Sequence, residues 1–229
     1  MLAIIKKELK TYFTSYLGYI VLAIFLFALG VAFHMVVISQ GVFSLGTLYY
    51  MAVQYGLPIM CALLTMGVFS KEKKLGTDQI LFTAPISTKK IVLAKILAQV
   101  AFIGITLLLS LIYYMILCYF GTPSLSTALV QLLGILLISV AMISVGTFFS
   151  SLTENQVLSA LFTLVYFVAT MFLYNKGIGG IFNVLCLPAY FLDFYVGAIS
   201  TSTILGLVVY TLVFYIFTVL VLNKRKLNK

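Results

Sequence analysis

The side chains able to carry chemistry are few and scattered. The chain holds five carboxylates (Glu8, Glu72, Asp78, Glu154 and Asp193), one histidine, His34, and three cysteines, Cys61, Cys118 and Cys186. A carrier driven by protons or sodium needs an ionisable group near the middle of an apolar span, and none of the five carboxylates falls at the centre of a complete one. Two aspartates are too few for a lipid transferase that gathers divalent metal in an aspartate cluster. His34 has no second ligand nearby in sequence and reads as a hydrogen-bonded interfacial histidine. The cysteines share no metal-ligand spacing and read as small packing residues, although Cys118 and Cys186 fall near the same predicted outer end and leave a disulfide open. No serine sits in a G-x-S-x-G elbow, and no Walker A loop is present to cradle ATP phosphates. The chain is therefore expected to be no enzyme and to hold no metal or cofactor of its own.

What remains is charge and where it is placed. Fourteen Lys and Arg against five acids give a net charge of +9. In a soluble protein that balance would point to nucleic acid. Here 63% of the 229 residues are hydrophobic and 8% charged, with a mean hydropathy of +1.21. Soluble domains carry about 25% charged residues, so this chain must lie in a bilayer, and no nucleic-acid partner is expected. Its basic residues then report topology and contact with membrane lipids. The apolar runs are continuous rather than alternating, which disfavours a β-barrel. At about 20 residues per helix the length allows six spans.

The expected arrangement is a single all-α domain over 1–229, with spans near 17–38, 48–69, 91–120, 128–149, 157–174 and 203–222. Residues 1–15 place Leu2, Ile5, Leu9 and Tyr12 at helical spacing with Lys6, Lys7, Glu8 and Lys10 on other faces, the pattern of a helix lying in the membrane interface. Pro58 should loosen the second span around Gln54 and Tyr55, as a hinge or as a packing feature. Gly146 and Ser150 have small-xxx-small spacing. Residues 175–202 contain an apolar run broken by Pro188 that reads either as a seventh span or as a re-entrant pair of short helices. Charge decides between them. With six spans, thirteen of the fourteen basic residues fall on one side and only Lys176 on the other; the positive-inside rule makes that side cytoplasmic, with both termini.

Between the second and third spans, residues 70–90 bring together charge, turn residues and a short helical pattern. Gly76-Thr77-Asp78 reads as a turn into a helix, with Thr77 as cap and Asp78 at the positive end of its dipole. Ile80, Leu81 and Ala84 form an apolar stripe, and Pro85 ends it. This predicts a short amphipathic helix displayed to the cytoplasm.

These residues resemble the ABC-2 type permeases, the membrane subunits of ATP-binding-cassette exporters. The resemblance rests on Lys71-Glu72, Gly76-Thr77, Ile80-Leu81, Thr83-Ala84-Pro85-Ile86 and Lys95, on SSLTENQ at 150–156 and on PAYFLDFYVGAIS at 188–200. It is strongest to the small six-span gliding-motility (GldF-like) and NosY-like group. It implies a type V ABC exporter-like fold in the cell membrane, paired with a second permease subunit, identical or sister, and with two cytosolic ABC ATPase subunits that hold ATP and Mg. The 76–85 helix would be the coupling helix seated in an ATPase cleft, with Glu72, Gly76, Thr77, Asp78, Ile80, Leu81 and Pro85 as coupling residues. Glu154 and Asn155 would mark a second cytoplasmic contact. Residues 1–15 would form the elbow helix, and Pro188, Asp193 and Gly197 would lie in the outer re-entrant hairpin. The competing readings are a membrane-embedded small-molecule-binding subunit of an energy-coupling importer and a non-transporting assembly protein.

Overall fold

An apolar chain in lipid must satisfy its backbone from within, and helices do so. The computed structural model describes residues 1–38, 41, 44–77, 87–121, 123–177, 180 and 184–227, and among these the regular structure is entirely helical. Six stretches are long and apolar enough to cross a membrane: Tyr16–Ile38, Leu45–Lys74, Thr88–Phe120, Leu125–Leu152, Gln156–Asn175 and Thr201–Lys226. The protein is a multi-pass, all-α membrane protein.

Helix α1 (Leu2–Thr14) ends at Ser15, whose backbone is extended and whose hydroxyl accepts from the Leu17 amide, starting α2 (Tyr16–Phe33). A π-helical turn, His34–Ile38, continues α2. The second span is interrupted: α3 (Leu45–Met51), a π-helical turn at Ala52–Gly56, then α4 (Leu57–Thr65). Pro58 stands in the first turn of α4. Having no N–H, it cannot bond the Gln54 carbonyl, and the chain widens there, with the Leu57 amide reaching back to the Ala52 carbonyl. The disturbance expected at Gln54 and Tyr55 is this π turn, a common form of helix irregularity.

The remaining elements are α5 (Ser70–Lys74), α6 (Thr88–Phe120), α7 (Leu125–Leu152), α8 (Gln156–Asn175), a 3-10 turn at Leu187–Tyr190, α9 (Phe191–Tyr195) and α10 (Thr201–Leu227). At 1.5 Å per residue α6 is about 50 Å long, well beyond the roughly 30 Å hydrocarbon layer. Its first turns, with Lys89 and Lys90, therefore project past the apolar layer.

The second span and α7 form the centre, each 61% buried over its most apolar stretch, against 22–33% for the other four. Their contact needs small residues. A Cβ on Gly146 would lie 2.1 Å from the Thr65 hydroxyl, so only glycine admits the approach. Four residues on, the Ser150 hydroxyl bonds across the same interface to Met66, Phe69 and Ser70. Rings fill the outer layer, where Phe148 and Phe149 of α7 meet Tyr166 of α8 and Phe214 and Phe217 of α10.

Leu187–Tyr195 is too short to cross a bilayer, and among the described residues there is no seventh stretch long and apolar enough to do so. It packs instead on the ends of α3, α7 and α10. Phe194 covers Gly134 so closely that a Cβ there would come 2.4 Å from its ring. The Gln131 amide donates to the Tyr195 carbonyl at 3.0 Å, the Thr47 and Tyr195 hydroxyls lie 3.2 Å apart, and the Thr203 hydroxyl donates to Asp193.

Candidate coupling site

One face of α6 carries Ile91, Lys95, Gln99 and Phe102, all turned inward and all buried. A lysine with a 2% exposed side chain needs compensation for its lost hydration, and three elements supply it. The Lys95 ammonium binds Glu72 Oε1 at 2.6 Å and Glu8 Oε1 at 3.2 Å, and donates to the Val68 carbonyl at 2.8 Å. These three contacts use its three N–H donors. The Phe69 ring lies 5.0 Å beneath it, close enough for a cation–π attraction. Glu8 comes from α1, Val68 and Phe69 from the turn into α5, Glu72 from α5 itself, and Lys95 from α6. A single cation thus joins three parts of the chain.

Tyr12 extends the joint by one turn of α1. Its hydroxyl accepts from the Gln99 amide at 3.2 Å and donates to the Leu64 carbonyl at 3.4 Å, while its ring stacks on Phe102. Burial pushes the phenol well above its ordinary range, the Gln99 hydrogen bond works against that rise, and the Glu8 and Glu72 charges add to it.

The turn between α4 and α5 is fastened equally to α7. Ser150 Oγ accepts from the Phe69 amide at 3.1 Å and the Ser70 amide at 3.3 Å, and donates to the Met66 carbonyl at 3.2 Å. The Lys73 ammonium donates to the Ser151 carbonyl, one of the last carbonyls of α7 that has no partner within its own helix. Helix α5 then ends in a Schellman motif: the Gly76 amide bonds the Lys73 carbonyl at 3.2 Å and the Thr77 amide the Glu72 carbonyl at 3.0 Å. Gly76 has φ +70°, the left-handed conformation that glycine adopts without strain.

Of the expected coupling residues, Glu72 faces inward onto Lys95, while Gly76 and Thr77 terminate α5, with the Thr77 hydroxyl directed back to the Glu72 carbonyl. Asp78, Ile80, Leu81 and Pro85, and the helix expected there, lie outside the described residues. Glu154 and Asn155 follow α7 at the same end. Glu154 reaches Arg225 of α10 at 3.4 Å, and Asn155 caps α8 by accepting from the Val157 amide at 3.0 Å. Pro188, Asp193 and Gly197 stand at the opposite end, where Gly197 has φ +80°. The three cysteines are free thiols, Cys61 and Cys186 buried and Cys118 exposed.

Sequence reasoning counted Lys95 among the cytoplasmic charges and missed its role as the centre of the joint, along with Glu8, Tyr12 and Gln99; Ser150 entered through its spacing from Gly146. A signal was present. Lys95 and Gln99 are four apart inside an otherwise apolar helix, so they share a face, and a polar face in such a helix needs protein partners.

Residues 47–195 match the family profile described as ABC-2 family transporter protein, well over half of the chain and including Glu72 and Lys95. No curated protein sequence matches the chain significantly.

Proposed function

Because the chain belongs to the ABC-2 family of transporter membrane proteins, we propose that it is the permease subunit of an ABC exporter in the cell membrane, with both termini in the cytoplasm. Two cytosolic ATPase subunits bind ATP and Mg, and a second permease subunit, identical or sister, completes the pathway. Residues 76–85 seat in an ATPase cleft as the coupling helix, α1 lies in the interface as an elbow helix, and the outer re-entrant hairpin lies within 175–202.

The observation that carries this reading is the sharing of Lys95 between Glu72 and Glu8. The segment entering residues 78–86 does not hang loosely from the bundle. Glu72 ties it to α6, Ser150 and Lys73 tie it to α7, and Gly76 fixes its exit direction. A push delivered at 76–85 by closing ATPases is therefore passed to α6 and α7 together. ATP binding shifts the inward–outward equilibrium only by its differential affinity for the two arrangements; this joint is the mechanical path through which that difference reaches the spans.

Leu81→Asp tests the seat and Glu72→Gln the joint. Leu81→Asp is expected to abolish ATPase copurification and transport. Glu72→Gln is expected to keep the ATPase bound while lowering transport per ATP hydrolysed. Intact assembly with normal transport in Leu81→Asp would sink the coupling role of 76–85.

A further inference from the structure

Between α1 and the second span lies a cleft of about 330 Å³. Leu17, Leu63, Leu64, Met66 and Val68 give it an apolar part and Leu75 lies exposed at its edge, while Lys7, Thr11, Lys71 and Thr77 are its exposed polar residues. Glu8, Glu72 and Lys95 also line it. The cleft spans the junction at Ser15–Leu17 where lysine-rich α1 hands over to a 23-residue apolar span, the level at which lipid headgroups meet the hydrocarbon layer.

Charge narrows the occupant. The cleft presents three lysines and two glutamates, a net of one positive charge. Lys95 is committed to Glu8, Glu72 and the Val68 carbonyl, so Lys7 and Lys71 at the rim are the cations left to face an incoming group. One phosphodiester, with its single negative charge, balances the set. A soluble phosphate would leave the leucines and Met66 against water, whereas an amphiphile covers both halves of the lining.

We propose that this cleft is a binding site for one anionic phospholipid of the leaflet in which α1 lies. The phosphate sits between Lys7 and Lys71, and the upper acyl chains rest on Leu17, Leu63 and Met66. Bound there, the lipid bridges α1 and the turn into α5, the two elements that supply the carboxylates to Lys95, and so stabilises the joint by binding only its assembled form. The site makes no use of an ATPase and stands or falls apart from the transport reading.

The test uses the purified full-length chain in nanodiscs of phosphatidylcholine, with and without phosphatidylglycerol, read by Tm and by native mass spectrometry of retained lipid. The wild type is expected to retain one phosphatidylglycerol and to show a higher Tm in its presence. The Lys7→Gln/Lys71→Gln variant is expected to lose about tenfold or more in phosphatidylglycerol affinity with its Tm in phosphatidylcholine unchanged. The Lys10→Gln/Lys74→Gln variant, with the same charge loss outside the cleft, is expected to behave as wild type. The proposal is overturned if the two double variants lose affinity alike, which would mean diffuse surface attraction. It is equally overturned if inorganic phosphate or phosphatidylethanolamine reproduces the shift, or if Lys7→Gln/Lys71→Gln falls in Tm as much in phosphatidylcholine alone.

Discussion

At one end of the bundle a buried lysine draws two carboxylates from distant elements to 2.6 and 3.2 Å. At the other, Leu187–Tyr195 is held by amide, hydroxyl and carboxylate hydrogen bonds and by Phe194 seated on Gly134. The two fastenings respond differently to load. The charged joint is costly to break because its partners are withdrawn from water, so loss of one leaves buried charge uncompensated. The far contact is an area of close packing whose strength is spread over many atoms, so it tolerates loss of any single hydrogen bond but not a change of shape. The end expected to receive motion is fastened by discrete links able to hold or release, and the far end by surfaces that fit.

The comparison breaks most sharply at Lys95. Lys95→Met leaves Glu8 and Glu72, each 18% exposed, facing one another without their cation. The expected loss is about 3–5 kcal/mol, read as a fall in Tm, and adding Glu8→Gln and Glu72→Gln to the same chain should recover part of it. No loss in Lys95→Met would mean that the joint contributes nothing to the fold.

Gly134→Ala is the matching change at the far end, where the added methyl meets the Phe194 ring. It should cost about 1–3 kcal/mol through overpacking and lift Leu187–Tyr195 off α7. In a Cys118→Ser background, Cys186, 1% exposed in the native fold, should then react with a water-soluble maleimide. Continued protection of Cys186 would show that the contact absorbs the methyl.

Tyr12→Phe removes two hydrogen bonds at the charged end and should cost about 1 kcal/mol. It should also alter the alkaline response. Because the folded phenol holds its proton above the ordinary value of about 10, its contribution is intact below that pH and is lost as pH rises beyond it. The variant should therefore show a shallower decline of Tm above about pH 10 than the wild type.

The smallest effect belongs to Arg225→Gln. The ion pair it forms with Glu154, a side chain 68% exposed, should contribute less than about 1 kcal/mol, diminishing further in high salt. A larger loss would extend the charged joint across to α10.

Legibility followed the range of the forces involved. Pro58 disturbs the helix at Gln54 because the missing N–H acts four residues back, and the π turn appears there. Gly146 and Ser150 lie on one face by helical period alone, and both meet the second span. Gly76 marks a turn for a local reason, although the structure uses it to end α5, a helix the sequence did not announce. The joint was hidden because its parts are 64 and 23 residues apart along the chain from Glu8 to Glu72 and from Glu72 to Lys95. Nothing in the local sequence of Glu8 distinguishes it from a solvated acid on an amphipathic helix.

By itself, then, the sequence determined the solvent, the number of membrane-crossing stretches, the asymmetry of charge and the family motifs, since each depends on composition and on spacing within one helix. The tertiary structure alone decided which charges are buried and with whom. Burying a lysine is unfavourable until a partner arrives, and the partners arrive only when α1, the turn into α5 and α6 have been brought to the same place.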